Sequence, residues 1–442
     1  MRLLSRMMLA FLAFLMVACA VPTPATAPEA AAPAADSAAA AEPMEITFYS
    51  YNLGAAGTFS DGAQKLLDTF AATQSNVKVN GVGVPGGEIL AKTQADLVAG
   101  TPPDIAQLIF DDLDNIVTNF NAVPLEDFVP AEELAEHLAG MHPNGVKLGQ
   151  LNGKTYGLAY TFSTPMLFYN GDLFTAAGLD PNAPPKNWEE VLQYGQQINE
   201  ATGAAGIYVA ATGRYDWITQ SLYLSAGGRA MSEDRTQVMV GEEGSVRAVT
   251  MLRELVQAGV MPNMTSPETV EAMAAGKLAM LVNSSALQAT LLKAAEGNYD
   301  LRSAPLPGFG DQLAVPTNSG SAIFVLTQDP ERQKAAWEFM KFATSKEGYT
   351  IITRDIGYLP LRPEIVTEEA YLKAWVEEHP LILPNIEQLD RLQPWTSFPG
   401  PNYRQIIEIT QTAVEQAIFG DNDDVAGIMM EAQKRAQELM PQ

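Results

Sequence analysis

Gly157-Leu158-Ala159-Tyr160-Thr161-Phe162-Ser163-Thr164-Pro165-Met166-Leu167-Phe168-Tyr169-Asn170 holds two apolar runs on either side of a break. Leu158–Phe162 and Met166–Tyr169 read as strands, being rich in aromatic and large apolar residues. Pro165 has no backbone N–H to give to a central ladder, so the chain changes partners or leaves its sheet there. The hydroxyls of Ser163 and Thr164 at this corner can face a cleft or cap a turn. An ordinary strand–turn–strand corner and an interlobe hinge share the pattern. Beyond it, Asn170-Gly171-Asp172 is a turn, with Asp172 or Thr175 opening a short helix that ends at Gly178.

Upstream, strand and helix patterns alternate. Ile46–Tyr51 is a strand, and Leu66, Leu67, Phe70 and Ala71 form one face of a helix. A strand at Val77–Val82, a helix through Ile89 and Leu97 and a strand at Asp104–Ile109 follow. Such alternation predicts βαβ units and a mainly parallel sheet. Ligands in such sheets bind beyond the carboxyl ends of strands, which here are Tyr51-Asn52 and Phe110-Asp111. Downstream, Gly213-Arg214-Tyr215-Asp216-Trp217 places an aromatic ring beside hydrogen-bonding side chains after a Gly-marked loop. That combination suits a sugar ring, with Trp217 stacking and Arg214 and Asp216 bonding hydroxyls. Core packing of Trp217 is the competing reading.

Composition narrows the options. Of 442 residues, 47% are hydrophobic and 18% charged, as in globular chains, and the length suits two or three domains. The net charge of -25 repels phosphate backbones and speaks against nucleic acid as a partner. Neither a disulfide nor a metal site is expected: Cys19 is the sole cysteine, and His137, His142 and His379 lack ligand spacing and read as solvated surface residues. No Gly-x-Ser-x-Gly elbow occurs, and no cofactor motif is present. No catalytic residue is assigned.

At the amino end, a basic start, the apolar run Met7–Val17 and Ala18-Cys19-Ala20 fit a signal peptide over 1–18. The Ala- and Pro-rich 19–43 reads as an extended tether.

Ser163 through Pro181 resembles the Thr-Pro-x-Leu-x-Tyr-Asn-x-Asp-x-Phe-x-x-Ala-Gly-Leu-Asp-Pro segment of extracellular solute-binding proteins of ABC importers. Gly276–Met280, Asn318–Leu326 and Gly357-Tyr358-Leu359-Pro360 resemble further motifs of that family, in its order. Met16-Val17-Ala18-Cys19 resembles a bacterial lipobox. The resemblance implies a two-lobe α/β fold, each lobe a mainly parallel sheet flanked by helices, with three crossings at a hinge. By motif order it assigns 44–160 with 280–318 to the first lobe and 161–279 with 319–442 to the second. It carries ligand-binding roles to Ser163, Trp217, Ser284, Ser285, Gly320 and Tyr358, beside Tyr51, Asn52, Asp111, Thr164, Arg214 and Trp395. The nearest branch includes the glycerol-3-phosphate binder and sugar-binding relatives. Its phosphate-holding Arg has no counterpart in Gln393–Gly400, where Trp395 stands instead, and Gly86-Gly87-Glu88 replaces a Tyr. A carbohydrate carrier is therefore expected, with no enzymatic activity. It would be monomeric, exported, lipid-anchored at Cys19 facing the periplasm or exterior, and would deliver ligand to a membrane permease. A glycerol-3-phosphate or polyol-phosphate binder is the alternative within the family, and a lipid-anchored glycoside hydrolase the alternative from another class.

Overall fold

The computed structural model describes residues 42–441 apart from Arg214. The expected signal peptide, Cys19, most of the tether and Arg214 thus lie outside the described residues. The strands are β1 (Met44–Ser50), β2 (Val77–Gly83), β3 (Ile105–Ile109), β4 (Gly157–Ser163), β5 (Pro165–Asn170), β6 (Ala205–Val209), β7 (Leu278–Ser284), β8 (Leu301–Ala304) and β9 (Ser319–Val325). The helices used below are α1 (Thr58–Thr73), α2 (Ile89–Val98), α3 (Leu113–Asn119), α4 (Trp188–Thr202), α5 (Asp216–Ser225), α6 (Glu243–Gln257), α7 (Pro330–Ala343), α8 (Tyr403–Phe419) and α9 (Val425–Gln437).

Two sheets organise the molecule, in the orders β2-β1-β3-β9-β4 and β8-β5-β7-β6. In the first, β9 runs against its neighbours β3 and β4, while β1 is parallel to β2 and β3. In the second, β5 runs against β7 and β8, while β6 and β7 are parallel. Each sheet is thus mixed, with one strand reversed against the others: two of four neighbouring pairs are parallel in the first and one of three in the second. Helices cover each sheet to make a lobe. The Phe48 ring meets Phe339 at 5.3 Å and Tyr160 at 6.0 Å, tying α7 and β4 to β1 in the first core.

The quoted stretch is the first crossing. Every residue of β4 and β5 is buried, as runs that are apolar on both faces require, and Thr164 alone separates them. Pro165 opens β5, the position where a missing N–H costs a strand least. The short helix after β5 spans Gly171–Ala176, and its cap is Asn170, whose side chain accepts from the Asp172 and Leu173 amides at 3.0 and 3.2 Å. This displaces Asp172 and Thr175 from that role, because Asn170 still has extended backbone and so holds the cap position. Asp329 caps α7 in the same way, with Pro330 at the first helical position.

Strand pairing redraws the lobe boundaries given by motif order. β7 and β8, from the 280–318 stretch assigned to the first lobe, pair in the second sheet. β9, assigned to the second lobe, inserts between β3 and β4 of the first, and α7 packs on β1. The physical reason is the apolar run of β7, buried through Asn283, which needs a neighbour on each side and finds them in β5 and β6. After Leu372 the chain returns to the second lobe, where α8 and α9 pack against α6.

Gly320 bears on stability directly. Its φ is +112°, and a Cβ there would lie 2.1 Å from the Thr161 carbonyl oxygen across the β4–β9 ladder. Gly320→Ala is expected to cost about 2–4 kcal/mol through backbone strain and overpacking together. Urea unfolding checks this, a midpoint equal to the parent's being the contrary result.

The histidines also depart from the sequence reading. His137 is held between Thr344 and Arg362 and packs edge-on against Trp337. Burial, with the Arg362 and Lys341 charges, lowers its pKa to about 4. The His142 ring is only 12% exposed and contacts Asp390 at 3.0 Å.

Candidate ligand-binding cleft

Between the lobes lies a cavity of about 480 Å³, within the roughly 300–1,000 Å³ usual for small-molecule sites. The first lobe supplies Gly86 and Gly87 before α2, and Ile109, Asp111 and Asp112 at the carboxyl end of β3. The second lobe supplies Asp216 and Trp217 from the start of α5, Trp395, and a face of α8 that includes Arg404, Glu408 and Glu415. Strand-end geometry thus brings Asp111 to the cleft, as expected of such sheets. A Cβ built on Gly87 meets nothing within 4 Å, so the glycine pair leaves room where a side chain would project.

Trp395 is positioned by three contacts. Its amide donates to Asn318 Oδ1 at 2.8 Å, and its indole Nε1 donates to Asp216 Oδ2 at 2.8 Å. The next amide, Thr396, donates to Gln220 Oε1 at 3.0 Å. Trp217 is 3% exposed and belongs to both the core and the cleft wall, so the two sequence readings of it describe one residue.

The electrostatics are acidic. Burial raises the Asp216 pKa to about 7 against the hydrogen bond from Trp395. Burial also pushes Asp111 well above the carboxylate range, reinforced by the neighbouring negative charges of Asp112 and Asp216. Asp111 Oδ1 is buried without a hydrogen-bond partner. Arg404, the one cation among the described lining residues, donates to Asp112 at 3.1 Å and to the Tyr403 hydroxyl at 2.8 Å.

Because the folded-state pKa of Asp216 is raised, its stabilising contribution is complete below the unfolded carboxyl value and lost as pH rises through about 7. Asp216→Asn is therefore expected to stabilise the unliganded protein at pH 8 by at least about 1 kcal/mol, with a smaller gain at pH 4. Melting curves at the two pH values check the sign.

The other described residues named from sequence lie outside the walls of this cavity, most of them in two clusters near the crossings. In the first, the Gln107 amide donates to Asn52 Oδ1 at 2.5 Å and to Ser321 Oγ at 2.9 Å, and Ser50 Oγ donates to Gln107 Oε1 at 2.7 Å. The Tyr51 hydroxyl joins Thr161 and Ser321 at 2.9 and 3.1 Å. Burial, then the contact with Tyr51, holds the Tyr358 hydroxyl well above its ordinary pKa. In the second, Ser284 Oγ donates to Ser163 Oγ at 2.9 Å, and the Ser285 amide donates to the Thr164 carbonyl at 3.0 Å. Thr164 Oγ1 bonds Asn385 and accepts from Gln388 Nε2. Gly320 sits in the ladder between the clusters. The first cluster ties strands of the first sheet to one another, and the second joins β4 of the first lobe to β7 of the second. Sequence reasoning missed Gln107, Thr161 and Ser321; the signal was a glutamine inside the apolar strand run Ile105–Ile109.

A cross-lobe contact was also missed. Arg235 donates to both carboxylate oxygens of Asp114 on α3, at 2.9 and 2.5 Å, and to the Ser397 carbonyl at 2.7 Å.

Among the described residues no helix is long and apolar enough to cross a membrane, and no cluster of His, Cys, Asp and Glu could hold a metal ion. Comparison with known proteins agrees with the architecture. The chain is 24% identical over 387 residues to the Brucella abortus (strain 2308) protein BAB2_0491, covering 85% of this chain and 89% of that one. The cyclic α-maltosyl-1,6-maltose binding protein from Arthrobacter globiformis superposes with a TM-score of 0.78 at 23% identity, over 90% of this chain and 99% of that one. UgpB from Mycobacterium tuberculosis, solved with glycerophosphocholine, gives 0.76 at 21% identity over 89% and 98%. At these identities the superpositions speak to the two-lobe fold. A family model for bacterial extracellular solute-binding proteins matches residues 65–384, most of the chain, and this protein belongs to that family.

Proposed function

We propose that this protein captures a sugar or oligosaccharide between its lobes and delivers it to the membrane permease of an ABC importer. The observation that carries the reading is the pairing of Trp217 and Trp395 with buried carboxyl groups in one cleft. Indole faces take the apolar face of a pyranose, while carboxyl oxygens bond its hydroxyls. Glycerol phosphate fits less well. Arg404 is the counter-charge available among the described residues, and it is engaged by Asp112 within a wall that also presents Asp111, Asp216, Glu408 and Glu415. A desolvated phosphate would find no unpaired guanidinium among the described lining residues. The likeness to a maltosyl-maltose binder supports a saccharide, and the likeness to a protein crystallised with glycerophosphocholine keeps the phosphate alternative worth testing.

Ligand binds one lobe, and closure adds contacts from the other, so the closed form is favoured by its differential affinity. Acylation of Cys19 would hold the protein at the membrane, with the Ala- and Pro-rich segment as a tether. Mass spectrometry of the mature amino terminus tests the anchor.

The function is tested by thermal shift against sugars, oligosaccharides, polyols and glycerol phosphates. At a thousand times its dissociation constant the cognate ligand adds about 4 kcal/mol of stability. Stabilisation by saccharides, recovered intact after incubation, is the expected result. A response confined to glycerol phosphates would overturn it, and cleavage of the sugar would revive the hydrolase.

A further inference from the structure

We propose that the saccharide carries a basic nitrogen, seated between Asp111 and Asp216 against the indoles of Trp217 and Trp395; this rests on the carbohydrate reading above. The first observation is Asp111 Oδ1, an acceptor at the end of β3 that is buried at the cleft with no partner in the protein. An unpaired buried acceptor is costly, and a donor brought by the ligand removes that cost. The second is the charge of the surroundings. Asp111 feels the charges of Asp112 on its own segment, Asp216 on α5 and Arg404 on α8, and Glu408 and Glu415 of α8 line the same cavity. Arg404 is neutralised by Asp112, leaving an excess of carboxyl groups and no unpaired cation among the described lining residues. The third is the two indoles. A ring face attracts a cation electrostatically, and a desolvated site strengthens that attraction. A neutral sugar needs the hydroxyl-binding groups but neither the excess of carboxyls nor their mutual crowding. An ammonium group uses both, since its arrival lets crowded, burial-suppressed carboxyls ionise.

The proton inventory gives the signature. Burial raises Asp111 and Asp216 above the carboxylate range, Asp216 to about 7, so at pH 5.5 a cationic ligand seated between them displaces protons that are partly lost already at pH 7. Its affinity then rises from pH 5.5 to 7, while a neutral sugar gains nothing from that change.

The test is calorimetric titration of the purified protein with pairs in which an amine replaces the 2-hydroxyl of each ring: glucosamine and glucose, galactosamine and galactose, diglucosamine and cellobiose. In at least one pair the amine is expected to bind tenfold or more tighter at pH 7. That preference should shrink toward pH 5.5, with proton release visible as a buffer-dependent enthalpy. Asp111→Asn and, separately, Asp216→Asn should reduce the ratio of amine to neutral affinity, each variant first being shown to melt cooperatively. Neutral sugars binding as well as or better than their amine partners would overturn this inference and leave the carbohydrate reading in place. Binding of no member of any pair would overturn both.

Discussion

Trp395→Ala is expected to weaken capture of the cognate ligand by roughly thirtyfold to a thousandfold, the 2–4 kcal/mol lost when a central aromatic anchor is truncated. The residue sits on the segment before α8 and is fixed by Asn318, Asp216 and the Gln220–Thr396 contact, so its indole is presented to ligand at little ordering cost. Removing it also frees the Asp216 carboxyl from its indole donor, blurring the cleft wall at a second point. Trp217 is the less informative target. It is a buried residue of α5, and truncation of a core Trp costs about 3–5 kcal/mol of stability in its own right. Titration calorimetry on Trp395→Ala, with a melt showing a cooperative fold, decides the matter; unchanged affinity would remove Trp395 from the site.

Asp114→Ala is expected to lower affinity about tenfold although Asp114 is not among the residues lining the cavity. Its carboxylate holds Arg235 and the Ser397 hydroxyl, both in the second lobe, and the pair is mostly shielded, with side-chain exposures of 17% and 30%. Charge-assisted bonds of this kind are worth about 1.5–3 kcal/mol, and here they form across the lobes. Losing them raises the open fraction, and apparent affinity falls by the same factor as the closed population. Scattering from the unliganded variant should show a larger radius of gyration than the parent, with stability of each lobe little changed. An affinity loss without opening would mean that Asp114 acts through the neighbouring Asp112 instead. High salt should reproduce part of the effect in the parent protein.

Much of the architecture was legible because it follows from local chemistry. Pro165 cannot continue a central ladder, and the runs beside it are too apolar to face water, so a break between two buried strands at Thr164 was readable, while the local pattern left open whether it was a corner or an interlobe crossing. The Asp329-Pro330 start of α7 was readable for the same reason. What escaped were pairings between distant segments. Whether Leu278–Ser284 joins one sheet or the other depends on neighbours about 70 to 120 residues away, and no local pattern encodes them. The cleft divided along the same line. Asp111 could be placed from the rule for strand ends, Trp217 from its chemistry after a Gly-marked loop, and Trp395 from the stretch where the resembling branch carries its phosphate-holding Arg. The hydroxyls and amides at the crossings look alike in sequence whether they bond a ligand or one another. Ser163, Ser284 and Thr164 bond within the protein, which only their partners reveal.

The insertion of β9 between β3 and β4 bears on how the chain reaches its compartment. Until Val325 has been synthesised, the first sheet lacks an inner strand, and residues from Met44 onward have no complete core to enter. The second lobe waits longer, for α8 and α9 at the carboxyl end. The first lobe cannot close before Val325, nor the second before the chain is nearly complete, because the contacts that would reward early folding are non-local. Were the chain exported unfolded, late closure of this kind would keep it loose until it had crossed, and its shape would be taken on the far side.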